Sequence, residues 1–314
     1  MSATIGVDIG GTKIALGVVT DSGEVVARTR RETQPNRPEE IVSALADGIA
    51  ELKAAHEVQA VGVAAAGYID AARSTVLFAP NLAWRENPLK QQVEALVDVP
   101  VVIENDANAA AWGEFRFGAG RDVDDMLMLT VGTGLGGGLV VNRRLVRGAH
   151  GVAAEFGHVR AVPDGHRCGC GNRGCWEQYT SGTALVREAR ELAESGSPLA
   201  VGMLERAGGK VKRITGPLVT DAARDGDPMA VELLADLGRQ LGTAIASFVA
   251  ILDPGVVVVG GGVSDAGDLL LGPARDAYEH ELTGRGFRPA AAVVRAELGN
   301  DAGLVGAADL ALAD

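Results

Sequence analysis

Short apolar runs alternate with helical stretches along this chain, and their order predicts a layered α/β protein. Residues 4–8 and 14–19 read as strands joined by a glycine-rich turn over 9–13, a hairpin and not a strand entering a helix. The design returns at 126–131 and 139–142 around the glycines of 132–138, and Gly10 and Gly132, 122 residues apart, point to an internal duplication. Between the hairpins the pattern predicts a helix over 38–55, a strand over 60–64, a loop through Asn81 and a helix near 89–96. A buried strand over 99–104 then meets a helix over 106–117, which puts Glu104, Asn105 and Asp106 at a strand's C-terminal edge, where open α/β sheets place ligands. Further on, helices are expected over 183–194 and 220–251, with a surface loop over 196–217 between them. A strand over 256–259 runs into Gly260, Gly261 and Gly262, and a helix over 268–282, a strand over 291–295 and a helix over 302–312 complete the chain.

At 314 residues the chain has the length of two domains, and with 47% hydrophobic but only 4% aromatic residues its core is aliphatic. A net charge of −12 opposes a phosphate backbone over most of the surface, so nucleic acid is excluded as a general partner and any anion site is local. The amino terminus lacks a signal-peptide pattern and no apolar run is long enough for a bilayer, so no membrane partner and a cytoplasmic location are expected.

In the first glycine turn, backbone N–H groups at Gly10 and Gly11 can converge on an anion, Thr12 and Lys13 add polar contacts, and Asp8 can hold magnesium through water. Read alone, these are equally ordinary hairpin glycines. The second copy, with Thr133 and Gly134, and the cluster at Gly261 and Gly262 shift the balance. Two turns clasping phosphates and a third close backbone approach beside the adenosine suit one nucleotide without a P-loop.

All three cysteines, Cys168, Cys170 and Cys175, fall within eight residues, and His158 lies just upstream. Three thiolates and an imidazole make a closed tetrahedral set for structural Zn2+, against the alternative of three reduced, unliganded thiols. Asp106 is either a helix cap or a general base that takes the proton of an attacking hydroxyl.

These residues carry a family resemblance over nearly the whole chain. The phosphate turn from Asp8 to Lys13, Glu104-Asn105-Asp106, the turn from Val131 to Gly138, Glu155-Phe156-Gly157-His158 and Cys168-Gly-Cys170-Gly-Asn-Arg-Gly-Cys175-Trp-Glu177 resemble those of the bacterial glucokinases of the ROK group (repressors, open reading frames and kinases), in the actin and hexokinase-like superfamily. The resemblance implies a two-lobed actin-like, ribonuclease H-like ATPase fold, each lobe a mixed sheet flanked by helices, with a zinc-binding loop. It implies a small lobe over 1–105 that regains the helix of 302–314, a large lobe over 106–301, and ATP and sugar between them. It also implies ATP with Mg2+ as donor, a hexose, glucose first, as acceptor, Asp106 as the base on the sugar 6-hydroxyl, and Asn105, Glu155, His158, Glu177 and Gly67 as sugar contacts. A homodimer or homotetramer is implied in the same way. The rivals are a ROK kinase for mannose, fructose or an N-acetylated amino sugar, and a non-catalytic sugar sensor. A repressor would need a helix-turn-helix domain ahead of the turn that begins at Asp8.

Overall fold

The computed structural model describes residues 3–80 and 82–312, so Asn81 lies outside the described residues. The chain runs β1 (Ala3–Ile9), β2 (Lys13–Thr20), β3 (Val25–Glu32), α1 (Pro38–Lys53), β4 (Val61–Ala65), β5 (Tyr68–Ile69), β6 (Val76–Phe78), β7 (Arg85–Asn87), α2 (Leu89–Glu94), β8 (Val101–Asn105) and α3 (Asp106–Phe117). It continues through β9 (Met126–Val131), β10 (Leu135–Val141), β11 (Arg144–Leu145), α4 (Gly182–Glu194), α5 (Val201–Arg206), α6 (Gly216–Arg224), α7 (Pro228–Leu252), β12 (Val256–Gly260), α8 (Asp268–Glu281), β13 (Ala292–Arg295) and α9 (Ala302–Leu310).

Two five-stranded mixed sheets repeat one plan, β3-β2-β1-β4-β8 and β11-β10-β9-β12-β13, in line with the duplication read from the glycine turns. In the first, β1 pairs antiparallel with β2 and parallel with β4, and β4 is parallel to β8. Strand β4, Val-Gly-Val-Ala-Ala, is buried at every position, as a central parallel strand must be. Its opposite number at the sheet edge, β3, alternates partly buried and exposed residues, with Arg28, Arg30 and Glu32 at exposed positions.

The chain divides into two compact units: Met1–Met126 with Gly138–Ala154 and Glu297–Asp314, and Leu127–Gly137 with Glu155–Ala296. The boundary expected at residues 105 and 106 therefore differs from the one drawn by the packing, because α3 stays with the first unit. The reason is α9. A Cβ on Gly62 would sit 1.8 Å from the carbonyl oxygen of Ala307, and one on Gly306 would sit 1.8 Å from that of Ala109. Helix α9 thus lies backbone to backbone against β4 on one side and α3 on the other, at a separation only glycine permits. Glu114 of α3 is fully buried and accepts N–H bonds from Ala119, Glu297 and Leu298 at 2.9, 3.0 and 2.7 Å, which fastens the chain entering α9 to the same helix.

In the second unit an aliphatic core from β9, β12, α4, α6, α7 and α8 is continuous. The single helix expected over 220–251 is two, α6 and α7. Asp227 caps α7 by accepting from the Ala230 N–H at 3.0 Å, with Pro228 in its first turn, and a chain that stops and restarts there cannot be one rod. The surface loop expected over 196–217 contains α5, whose Met203 is fully buried. The loop expected before residue 88 holds the small antiparallel sheet β5-β6-β7. Among the described residues no helix is long and apolar enough to cross a membrane.

Candidate active site

In the first unit the β1–β2 turn is closed by the Gly10 N–H donating to the Lys13 carbonyl at 2.9 Å. Thr33, 7% exposed, backs it: its hydroxyl donates to the Gly10 carbonyl at 2.8 Å and its N–H to the Thr12 carbonyl at 3.1 Å. In a trans peptide plane the N–H opposes the C=O, so these bonds turn the N–H groups of Gly11 and Lys13 away from Thr33. Gly11, Thr12 and Lys13 are exposed, so an anion could reach these donors.

The second unit repeats this with different residues. Gly132 donates to the Gly134 carbonyl at 3.0 Å, and the first turn of α4 takes up the carbonyls behind it. Gly182 N–H reaches the Gly132 carbonyl at 2.7 Å, while Thr183 reaches the Thr133 carbonyl through its hydroxyl at 2.7 Å and its N–H at 3.3 Å. The N–H groups of Thr133 and Gly134 consequently point away from α4, side by side. Gly261, at φ 83° and with room for no Cβ against the Val131 carbonyl 2.5 Å away, brings the Gly260–Gly262 corner beside this turn. Thr133, Gly134, Gly261 and Gly262 are therefore gathered at one place. Neither Thr33 nor Thr183 was among the expected residues; a threonine has no sequence signature for this work. Thr183→Ala is expected to raise the KM for ATP about fivefold with little change in the KM for the sugar, the loss of one net hydrogen bond of about 1 kcal/mol, and steady-state kinetics with each substrate varied will check it.

Asp8 at the end of β1 and Asp106 at the start of α3 flank the first turn of α9: a Cβ on Gly303 would be 3.6 Å from the Asp8 carboxyl carbon and 3.9 Å from the Asp106 carbonyl oxygen. Burial pushes Asp8 up to about 6, the Asp106 charge adds to the rise, and Lys13 opposes it. Asp106 is also held above the ordinary aspartate range, by burial first, with the Ala107 N–H at 3.0 Å working against it. The choice left open for this residue is narrowed by its neighbour. Asn105 is the cap of α3, accepting from the Asn108 N–H at 2.9 Å, and Asp106 occupies the first helical position with its carboxylate released from capping. Asn105 Nδ2 donates to Asp106 Oδ1 at 3.2 Å and to the Gly67 carbonyl at 3.1 Å. Gly67 itself has φ 144°, and a Cβ there would meet the Phe78 carbonyl at 2.4 Å. Gly67, Asn105 and Asp106 thus form one corner.

Behind that corner lies Glu104, 2% exposed, paired with Arg147 at 2.6 Å and Arg73 at 3.4 Å. Burial, with Arg147 adding and Glu104 opposing, lowers Arg73 to about 10. The sequence places Glu104 at this strand end without giving it a role; an ionisable residue ending the apolar run Val101-Val102-Ile103 is the signal for one.

In the second unit Glu155 precedes a single 3-10 turn, Phe156–His158, which brings its carboxylate 3.9 Å from His158 Nε2. His158 Nδ1 faces the other way, 3.6 Å from Cys168 Sγ, and Cys170 and Cys175 sulfurs are 3.6 Å apart. All four ligand atoms lie within 4.8 Å of one another. A tetrahedral Zn2+, with bonds of about 2.3 Å to sulfur and about 2.0 Å to nitrogen, sets sulfur about 3.5 Å from nitrogen and about 3.8 Å from sulfur, close to the two separations of 3.6 Å, so the cluster fits the ion. Burial pushes the Cys168 thiol up to about 12, and a cation is what would ionise it. Glu177 spans from the cluster to the second glycine turn: Oε1 is 3.5 Å from Cys168 Sγ and Oε2 accepts from the Leu135 N–H at 3.3 Å.

The ROK family model matches residues 4–314. A glucokinase of Streptomyces coelicolor is 52% identical over 311 residues, 99% of this chain and 98% of that protein. One from Thermotoga maritima is 36% identical over 98% of this chain and 96% of its own. Among solved structures, a ROK family glucokinase from Streptomyces griseus in complex with glucose and AMPPNP superposes with a TM-score of 0.91 at 53% identity, covering 98% of this chain and 99% of that one. Paired sheets of one order, glycine turns at matching places in each and a Cys3His cluster agree with a likeness that runs from end to end, and on both grounds the chain belongs to the ROK family.

Proposed function

We propose that this chain is an ATP-dependent glucokinase, transferring the γ-phosphoryl group of ATP to the 6-hydroxyl of glucose. The observation that carries this reading is the full-length likeness, at 53% identity, to a ROK glucokinase solved with glucose and AMPPNP. Asp106 accepts the proton of the sugar hydroxyl as its oxygen attacks phosphorus, the new P–O bond forms, the bond to the β,γ-bridging oxygen breaks and ADP leaves. Its raised affinity for protons suits a base that must hold one after the attack. Asn105 and the Gly67 backbone orient the acceptor from the same corner. Glu155, His158 and Glu177 supply the remaining sugar contacts: a metal held by Nδ1 would leave the His158 proton on Nε2 as a donor, while the carboxylates accept. Asp8 would hold Mg2+ through water, the N–H groups of Gly11 and Lys13 with the Thr12 side chain, and those of Thr133 and Gly134, cradle phosphates, while Gly10, whose N–H is spent on the Lys13 carbonyl, shapes the turn, and Gly261 and Gly262 flank the adenosine. His158, Cys168, Cys170 and Cys175 would hold zinc, which supplies fixed geometry to its neighbours. A cytoplasmic dimer or tetramer completes the proposal.

A coupled assay with ATP against a hexose panel tests it. Glucose should exceed mannose, fructose and N-acetylated amino sugars in kcat/KM by more than about tenfold, roughly 1.4 kcal/mol of transition-state discrimination. A like margin for another sugar overturns the assignment to glucose, and sugar binding without turnover overturns the kinase. Polyphosphate belongs in the same assay as a competing donor.

A further inference from the structure

Glu104 joins three segments of the first unit. Its Oε1 accepts from the Asn105 N–H at 3.1 Å and from Asn108 Nδ2 at 3.2 Å, and so holds both ends of the cap that starts α3. Its Oε2 accepts from Arg147 Nε at 2.6 Å, while Arg73 Nε stands 3.4 Å from the same oxygen and makes no hydrogen bond among the described residues. Arg73 belongs to the turn between β5 and β6, where its carbonyl accepts from the Ile103 N–H at 3.2 Å. Arg147 opens the loop that follows β11. That loop is seated on the end of β5: a Cβ on Gly151, at φ 84°, would lie 2.4 Å from the Ile69 carbonyl, and Ala153 donates back to the Arg147 carbonyl at 3.0 Å.

The two guanidinium groups thus do different work. Arg73 is close enough to neutralise the buried carboxylate, but the short charge-assisted bond that sets the carboxylate's direction comes from Arg147 alone. With Oε2 fixed, Oε1 faces Asn105 and Asn108, and the Asn105–Asp106 corner is held from behind. We propose that Arg147 is a positioning residue for the sugar acceptor, acting through Glu104 on the Asn105–Asp106 corner. Removing it lets the Glu104 carboxylate swing towards Arg73 and slackens the Oε1 contacts, so the cap and the proposed base shift together. A misplacement of even about 1 Å costs in-line transfer on the order of 10²-fold. The proposal rests on the glucokinase reading and deepens it.

The test is a double-mutant cycle on the full chain, with Arg147→Met, Glu104→Gln and the pair, following kcat/KM for glucose, the KM for ATP and Tm. Arg147→Met should lower kcat/KM for glucose at least tenfold and leave the KM for ATP within twofold, and Arg147→Lys should recover part of the loss. In the Glu104→Gln background the same substitution should cost less than twofold, because the group it acts through is gone. Full additivity, a parallel rise in both KM values, or activity within twofold of the parent in Arg147→Met overturns the proposal. Should the Met variant fail to fold, Arg147→Gln carries the same cycle with the same criteria, and Arg147→Lys remains the partial rescue. A parent chain that phosphorylates no hexose would defeat the glucokinase reading instead, and would be seen before any variant is made.

Discussion

Asp106→Asn should lower kcat for glucose phosphorylation by about 10²–10⁴-fold, the usual worth of a positioned proton acceptor, while glucose affinity by calorimetry stays within about threefold. The amide keeps an oxygen where Oδ1 now accepts from the Ala107 N–H and Asn105 Nδ2, so the helix start survives and only basicity is removed. The pH dependence sharpens the expectation. A base must be ionised, and so must a carboxylate that is to hold Mg2+; burial holds Asp106 above the ordinary aspartate range and pushes Asp8 up to about 6, so kcat/KM of the parent falls as pH drops below neutrality. Stability moves the other way. A carboxyl whose folded affinity for protons exceeds its unfolded one contributes stability that is fully present below the unfolded pKa and lost as pH rises through the folded value. Asp106→Asn escapes that loss, so its Tm relative to the parent should rise between acidic pH and pH 8. Lost turnover with a gain in stability at pH 8 is the signature of a charge kept for chemistry. Turnover within threefold of the parent would remove Asp106 from the mechanism.

What could be read beforehand follows the range of the contacts involved. The zinc ligands, the glycine turns and the Asn105-Asp106 pair are contiguous motifs whose chemistry is carried by residue type and spacing, and the structure groups them into two sets, one in each unit. Thr33, Thr183, Arg73 and Arg147 were missed because each acts on a partner far along the chain, Thr183 on Thr133 and Arg147 on Glu104. The unit boundary eluded the sequence for the same reason: α3 is held by the Gly306 and Glu114 contacts to a helix nearly two hundred positions later. The break between α6 and α7 is a different case. Gly226, Asp227 and Pro228 are a stop followed by a cap and a permitted first-turn proline, a break that the continuous apolar periodicity on either side masks. The small sheet β5-β6-β7 has strands of two or three residues, too short for any period to register.

The freshly purified protein should hold about one zinc per chain, and Cys175→Ala should abolish both the metal and detectable turnover. The 158–177 segment carries no disulfide, and apart from Trp176 in the core of the second unit and the Glu177 contact to the Leu135 N–H it is held by local contacts, two bridges, Arg160 with Cys175 and Arg167 with Arg173, the His166–Tyr179 contact and a handful of turn hydrogen bonds. Structural zinc is worth on the order of 10 kcal/mol or more to a site that is unformed without it, which exceeds any single hydrogen bond in the loop many times over. Cys175 is fully buried and Cys170 is exposed, so a chelator reaches the cluster from the Cys170 side, whereas the Cys175 substitution leaves a void as well as an incomplete coordination sphere. The consequence for catalysis runs through His158 and Glu177. With the metal gone, the imidazole loses the bond that turns Nε2 towards Glu155, and Glu177 loses the fixed neighbour that holds it against the Leu135 N–H. The KM for glucose should therefore rise before the KM for ATP during partial chelation, and both should recover on adding Zn2+ back. Metal analysis, differential scanning calorimetry and kinetics on one chelator titration are enough to decide, because full activity in protein holding less than about 0.2 zinc per chain is incompatible with a metal on which the sugar contacts depend.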